Sequence, residues 1–207
     1  MLWMIYSKRE EGMRKSQIER NTGETDVRVE LDLDGSGKCS ADTGVGFLDH
    51  MMELFARHGN FDISITCKGD TQVDDHHSVE DIGIALGMAF DEALGDKAGI
   101  SRYGHMILPM DEALILTAVD LSGRSNLSFE ADLPADKVGT FDTELVEEFM
   151  IAFVRNCPSS IHIRQLAGRN THHIIEGMFK SLARSLRQAV SIDEASKGRI
   201  PSTKGVL

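Results

Sequence analysis

The chain has 207 residues, 41% hydrophobic and 27% charged, which suits one ordinary domain or two small ones with a real core. Its net charge of −11 argues against nucleic acid as the main partner, because phosphate binding calls for a basic surface. The three cysteines, Cys39, Cys67 and Cys157, are odd in number and widely spaced, so no disulfide framework or CxxC metal site follows and a reducing cytoplasm is expected.

The opening MLWMIYSKREEG has a short apolar run that charged residues soon interrupt. It lacks the apolar core and small-residue cleavage site of a signal peptide, and no later stretch approaches membrane-spanning length. Met13 is an alternative start, which would make the preceding residues a translated leader. Next, DVRVELDLDG (26–35) alternates Val27, Val29, Leu31 and Leu33 and reads as a strand with one buried face. GVGFLDHMMELFARHG (44–59) reads as a helix with Phe47, Met51, Leu54 and Phe55 on one side and Gly59 as its stop. FDISITCKG (61–69) is strand-like, and HHSVEDIGIALGMAFDEAL (76–94) is a long amphipathic helix.

The second half replays this order. LILTAVDLSGRSNLSFEADL (114–133) reads as a hairpin-like strand pair, TELVEEFMIAFVRNC (143–157) as a helix, SIHIRQLAG (160–168) as a strand and HHIIEGMFKSLARSLRQAV (172–190) as a helix. HMMELFAR (50–57) aligns with EFMIAFVR (148–155), placing Phe55 over Phe153 and Arg57 over Arg155. Such a repeat predicts an α+β fold of two small sheets, each with helices on one face. The helix layers pack together about a pseudo-dyad, since either unit alone would leave them exposed. No low-complexity linker separates the halves, so one compact domain is expected.

The sharpest repeated feature is HHxxE, at His76, His77 and Glu80 and again at His172, His173 and Glu176. Neighbouring helical residues point about 100° apart, so the paired histidines look to different ions, while His76 with Glu80, and His172 with Glu176, share a face at i and i+4. A pseudo-dyad then implies two equivalent metal sites. Aligning the repeats adds His50 to one and its counterpart Glu148 to the other. The partition read from this is His50, His77, His172 and Glu176 for one ion, and His76, Glu80, Glu148 and His173 for the second. Such mixed N/O ligation suits Mn, Fe or Zn at a catalytic site. The bland alternative makes each HH pair a set of polar capping residues. A duplicated spacing on matching elements favours metal. His58, His105 and His162 lack this context, and His162 reads as a core or interface histidine.

The acidic chain ends in SKGRIPSTKGVL, which carries Lys197, Arg199 and Lys204 and no acidic residue. Ser202 and Lys204 offer a hydroxyl and an ammonium to a phosphate, and Gly205 permits close backbone approach. A frayed basic tail is the alternative. Arg102 in GISRYGH and Arg124 in DLSGRSN are further anion-binding candidates, and Glu24 in ERNTGETDV reads as an exposed carboxylate ahead of the first strand.

RNTGET, GVGFLDHM, DDHHSVEDIGIALG, GISRYGH, MDEAL, DLSGR, HIRQLAGRNTHHIIEGMFKSLARSLRQAV and IPSTKGVL together resemble the imidazoleglycerol-phosphate dehydratases of histidine biosynthesis. The resemblance runs from about Arg20 to Leu207. It leaves residues 1–19 as a disordered N-terminal extension and 20–207 as a single catalytic domain of two repeats, 20–98 and 99–207. It implies a duplicated fold similar to the second domain of ribosomal protein S5, two Mn2+ per subunit, and trimers that join through shared metal sites into a 24-subunit octahedral shell. It also implies a small phosphorylated imidazole as substrate, with Glu24 as the base and Arg102, Arg124, Lys180, Ser202 and Lys204 binding substrate and phosphate. In the implied reaction, imidazole glycerol phosphate held as imidazolate expels a hydroxyl to give a diazafulvene. The adjacent C–H then becomes acidic, and loss of its proton leads to imidazole acetol phosphate. One departure stands out: Glu148 occupies a position where many members carry histidine, and a hard carboxylate oxygen still suits Mn2+. Competing readings are a non-catalytic metal-storage or metal-sensing shell and a dinuclear hydrolase. A di-iron carboxylate bundle would lack the strands.

Overall fold

The protein is described by a computed structural model covering residues 4–9, 13–196 and 198–207. In chain order the first half comprises β1 (Met4–Arg9), β2 (Lys15–Asn21), β3 (Thr25–Asp32), β4 (Cys39–Asp42), α1 (Gly46–Gly59), β5 (Asp62–Gly69) and α2 (His76–Leu94). The second comprises β6 (Tyr103–Met110), β7 (Ala113–Asp120), β8 (Asn126–Glu130), a short β9 (Lys137–Val138) and β10 (Phe141–Asp142) hairpin, α3 (Leu145–Asn156), β11 (Ser160–Ala167) and α4 (Thr171–Val190).

The duplication shows in the topology. The first sheet runs β1-β2-β3-β5-β4 and the second β6-β7-β11-β8, so β1 is an added edge strand with no counterpart. Apart from β1, two antiparallel pairings in each are followed by one parallel pairing, β4 on β5 and β8 on β11. Strand β3 alternates strictly, with Thr25, Val27, Val29 and Leu31 buried and their neighbours outward, as one covered sheet face requires. β7 alternates in the same way.

Helix α2 lies on β2 and β3, and α4 on β6 and β7. Between the repeats α2 packs on α3 and α1 on α4, the contacts that a pseudo-dyad generates. Phe90 meets Phe153 edge-on at 5.4 Å, and Phe149 meets Phe179 at 5.3 Å. Glycines allow the close approach. A Cβ on Gly83 would lie 2.8 Å from the Phe149 carbonyl oxygen, and one on Gly87 2.6 Å from that of Phe153.

Two expectations need correction. Residues 1–19 are not a disordered extension throughout, because β2 is a full member of the first sheet, paired with β3 from Lys15 to Asn21. Ile18 is fully buried, and the Ser16 hydroxyl donates to the Ala89 carbonyl at 2.7 Å. β1 extends the sheet by pairing with β2 from Met4 to Arg9, so the first repeat starts before Arg20; residues 1–3 and 10–12 of the expected leader lie outside the described residues. The stretch 114–133 is also not a hairpin. β7 and β8 both flank β11, which enters between them from later in the chain.

Gly87→Ala should destabilise the protein. Alanine gains up to about 1 kcal/mol in helix propensity, but the new methyl meets backbone that cannot yield, at a typical cost of about 1–3 kcal/mol. Urea unfolding should show a net loss, whereas Gly46→Ala, with nothing within 4 Å of its added Cβ, should be neutral or slightly stabilising.

Candidate metal and substrate site

Helix α4 begins at Asn170, whose side chain accepts from the backbone N–H groups of His172 and His173. At α2 the Asp74 carboxylate accepts from the His76 N–H at 2.9 Å. The capping is therefore done by neighbouring residues, and the imidazoles are left for other work. In each HH pair the rings diverge, with interplanar angles of 87° and 84°, as adjacent helical positions require. His76 Nε2 lies 3.9 Å from Glu80, and His172 Nε2 lies 3.5 Å from Glu176, so both i, i+4 pairs share a face.

The packing of α1 on α4 completes one cluster. His50, His172 and Glu176 present ligand atoms that all lie within 4.8 Å of one another. Glu176 is buried, and its other oxygen is ion-paired with Lys180, one turn further along α4. Phe47 covers one side, with its ring 5.3 Å from that of His172. Two imidazoles and a carboxylate converging from two helices are a donor set that fits Mn2+, Fe2+ or Zn2+ with positions left open.

Three of the four residues expected at the first ion are thus together, and His77 is not among them. Instead its Nδ1 lies 3.0 Å from Asp70 Oδ1, and its Nε2 faces Glu24 at 3.8 Å. The expected second group, His76, Glu80, Glu148 and His173, does not gather in one chain. Glu148 sits half-buried in the first turn of α3, and among the described residues no second group of three meets the same distance limit. His173 mirrors His77, with Nδ1 2.8 Å from Glu112 and Nε2 3.8 Å from Asp111. The histidine pairs therefore split as their helical angle dictates: His76 and His172 face the glutamate one turn on, and His77 and His173 face the carboxylates that hold their Nδ1 atoms.

Carboxylate contacts set the local electrostatics. The Asp70 hydrogen bond raises the His77 pKa, and Glu112 raises that of His173. His173, with backbone N–H groups, brings Glu112 down to about 2. Asp70, Asp111 and Glu112 had no role in the sequence reading. MDEAL was visible as a motif, but only the β6–β7 turn shows that its acids face His173.

Glu24 lies closer to the histidines than expected. The β2–β3 turn holds it: Thr22 Oγ accepts from the backbone N–H of Glu24 and Thr25, and Thr25 Oγ donates to Asp81 of α2, which also pairs with Arg20. The expected phosphate set divides in two. The Arg102 guanidinium pairs with Asp120 at 2.7 and 3.1 Å and donates to the Pro201 carbonyl at 2.9 Å, tying the C-terminal segment to the start of β6. The tail then returns toward Arg124, with Leu207 packed on Gly123. Arg102, Arg124, Ser202 and Lys204 thus belong to one end of the second repeat, while Lys180 belongs to the metal cluster. Lys197 of the basic tail lies outside the described residues. His162 is exposed on β11, so of its two readings, core or interface, the core one is overturned.

Comparison with known proteins agrees. The family model for imidazoleglycerol-phosphate dehydratase matches residues 43–186. The chain is 60% identical to the imidazoleglycerol-phosphate dehydratase of Desulforamulus reducens over 94% of this chain and 98% of that one. It is 59% identical to that of Prochlorococcus marinus over 95% and 97%. Among solved structures, the enzyme from Staphylococcus aureus superposes with a TM-score of 0.78 at 43% identity, covering 92% of this chain and 100% of that one. The enzyme from Pyrococcus furiosus gives 0.78 at 40% identity, covering 91% and 99%.

Arg102→Ala should free the C-terminal segment without unfolding the core, because the guanidinium is what spans Asp120 and Pro201. Hydrogen exchange should rise across residues 199–207 while the α2 core stays protected; an unchanged tail would show that other contacts hold it.

Proposed function

The chain belongs to the imidazoleglycerol-phosphate dehydratase family, and we propose that it catalyses the metal-dependent dehydration of imidazole glycerol phosphate to imidazole acetol phosphate and water. This is a hydro-lyase step in histidine biosynthesis. The observation that carries the reading is the convergence of His50, His172 and Glu176 within 4.8 Å, built by the contact between the two repeats. These three would hold one divalent ion. His76, His77 and His173, with the carboxylates Glu80 and Glu148, would supply the remaining ligation of two Mn2+ per subunit, in part across subunit contacts. Bound there, the metal supplies Lewis-acid stabilisation of the deprotonated imidazole ring.

The chain's own groups do the rest. Glu24, exposed on an anchored turn beside His77, is positioned as the base that removes the carbon-bound proton. Lys180, beside the Glu176 ligand, adds positive charge where an anionic substrate meets the metal. Arg124, Ser202 and Lys204 bind the phosphate, and Arg102 both holds the tail and adds its charge. The acidic net charge is no obstacle, since the closing stretch SKGRIPSTKGVL carries basic and no acidic residues. Assembly from trimers into a 24-subunit shell in the cytoplasm belongs to the same proposal. Among the described residues no helix is long and apolar enough to cross a membrane.

Turnover of imidazole glycerol phosphate with Mn2+, measured before and after chelation, separates this reading from a storage shell and from a hydrolase. Glu24→Gln keeps shape and hydrogen bonding but cannot take the proton, so kcat should fall by about 10²-fold or more, about 3 kcal/mol of barrier, with substrate still bound. Near-normal kcat at full metal occupancy would assign the base elsewhere. Lys204→Ala should instead raise KM with a smaller effect on kcat. Removing metal should leave a much smaller oligomer, a trimer, by analytical ultracentrifugation; a shell that survives verified metal loss would refute metal-dependent assembly.

A further inference from the structure

The second histidine of each HH pair is held at Nδ1 by a carboxylate. His77 Nδ1 lies 3.0 and 3.1 Å from the two oxygens of Asp70, and His173 Nδ1 lies 2.8 Å from Glu112 Oε2. An ionised carboxylate only accepts, so Nδ1 is the donor and carries the proton in both rings. In a neutral imidazole that leaves Nε2 as the lone-pair nitrogen. We propose that Asp70 and Glu112 are positioning residues for metal binding, which hold His77 and His173 in the Nδ1–H tautomer with the Nε2 lone pair, on the Glu24 and Asp111 sides, available to an ion. The proposal rests on the metal-dependent reading above.

The two carboxylates are not copies of each other, which is the strongest argument for a shared purpose. Asp70 comes from the β5–α2 connection and Glu112 from the β6–β7 turn. The residue as far ahead of His173 as Asp70 is ahead of His77 is Leu166, which has nothing to offer an imidazole. Duplication therefore does not explain the matching contacts; each repeat reaches the same chemistry from a different loop. Glu112 does more than its counterpart. Its Oε1 accepts the backbone N–H groups of Arg169 at 3.2 Å and Asn170 at 2.8 Å, fixing the loop that starts α4 and the ring of His173 together.

This asymmetry gives a test. In Glu112→Gln the Arg169 and Asn170 N–H groups retain the side-chain carbonyl oxygen, so the amide NH2 faces His173. Nδ1 must then accept, the proton moves to Nε2, and the ligating lone pair is lost. In Asp70→Asn the amide is free to turn its oxygen to His77, so the tautomer survives. Mn2+ titration into the full chain, followed by the electron paramagnetic resonance of free Mn2+, should show affinity falling about 10–100-fold in Glu112→Gln and less in Asp70→Asn. Nitrogen NMR of histidine-labelled wild-type protein should show Nδ1–H at both His77 and His173, which requires no variant to fold. Nε2–H at either residue, or Glu112→Gln affinity within twofold of wild type, overturns the proposal and leaves the metal reading standing. A wild-type chain that binds no Mn2+ overturns both.

Discussion

At Gly83 and Gly87 the backbone of α2 comes so close to α3 that one added Cβ would touch the carbonyls of Phe149 and Phe153. Neither repeat could keep those surfaces in water, because the helices carry apolar residues on the side turned away from their own sheet as well. Burying one repeat's helices against the other's is therefore the condition for folding at all. The same pseudo-dyad that seats α2 on α3 seats α1 on α4, and that second contact delivers His50 to His172 and Glu176. The core and the His50–His172–Glu176 cluster are two consequences of one packing relation.

Acidic side chains gather at the other two histidines. His77 faces Asp70 and Glu24, and His173 faces Glu112 and Asp111. Histidines ringed by carboxylates form a region where a divalent cation is the natural counter-charge, and acids behind the rings orient them as well as attract the ion. The members of each HH pair have different neighbours. Among the described residues His172 joins His50 and Glu176 in one three-residue cluster, while His77 and His173 are each oriented by a carboxylate at Nδ1.

The basic C-terminal segment has a separate anchor. Arg102 adopts a left-handed backbone conformation, φ 70°, at the entry to β6, and its guanidinium is held by the two oxygens of Asp120 while donating to Pro201. A bidentate pair of this kind is geometrically specific, and lysine could not reproduce it. A tail that composition alone leaves free to fray is thereby tied at Pro201.

Much of the fold was legible in the sequence, because its signals are local. The helix read over 76–94 coincides with α2, and the strand read over 160–168 and the helix read over 172–190 differ from β11 and α4 by one residue at an end, since apolar period and flanking stops act within a few residues. The i, i+4 pairing within each HHxxE and the divergence of its two rings likewise follow from helical geometry. Weak or short signals were missed. β2 has a single aliphatic residue, Ile18; β4 has four residues; and β6 is an edge strand containing Pro109. The placement of β11 between β7 and β8, the seating of α1 on α4, and the reach of Asp70 and Glu112 to their histidines depend on contacts between residues far apart in the chain. Periodicity assigns a side chain to a face of its own element, but which face of another element lies opposite is set by how the two repeats bury each other. That was decided only in the tertiary structure.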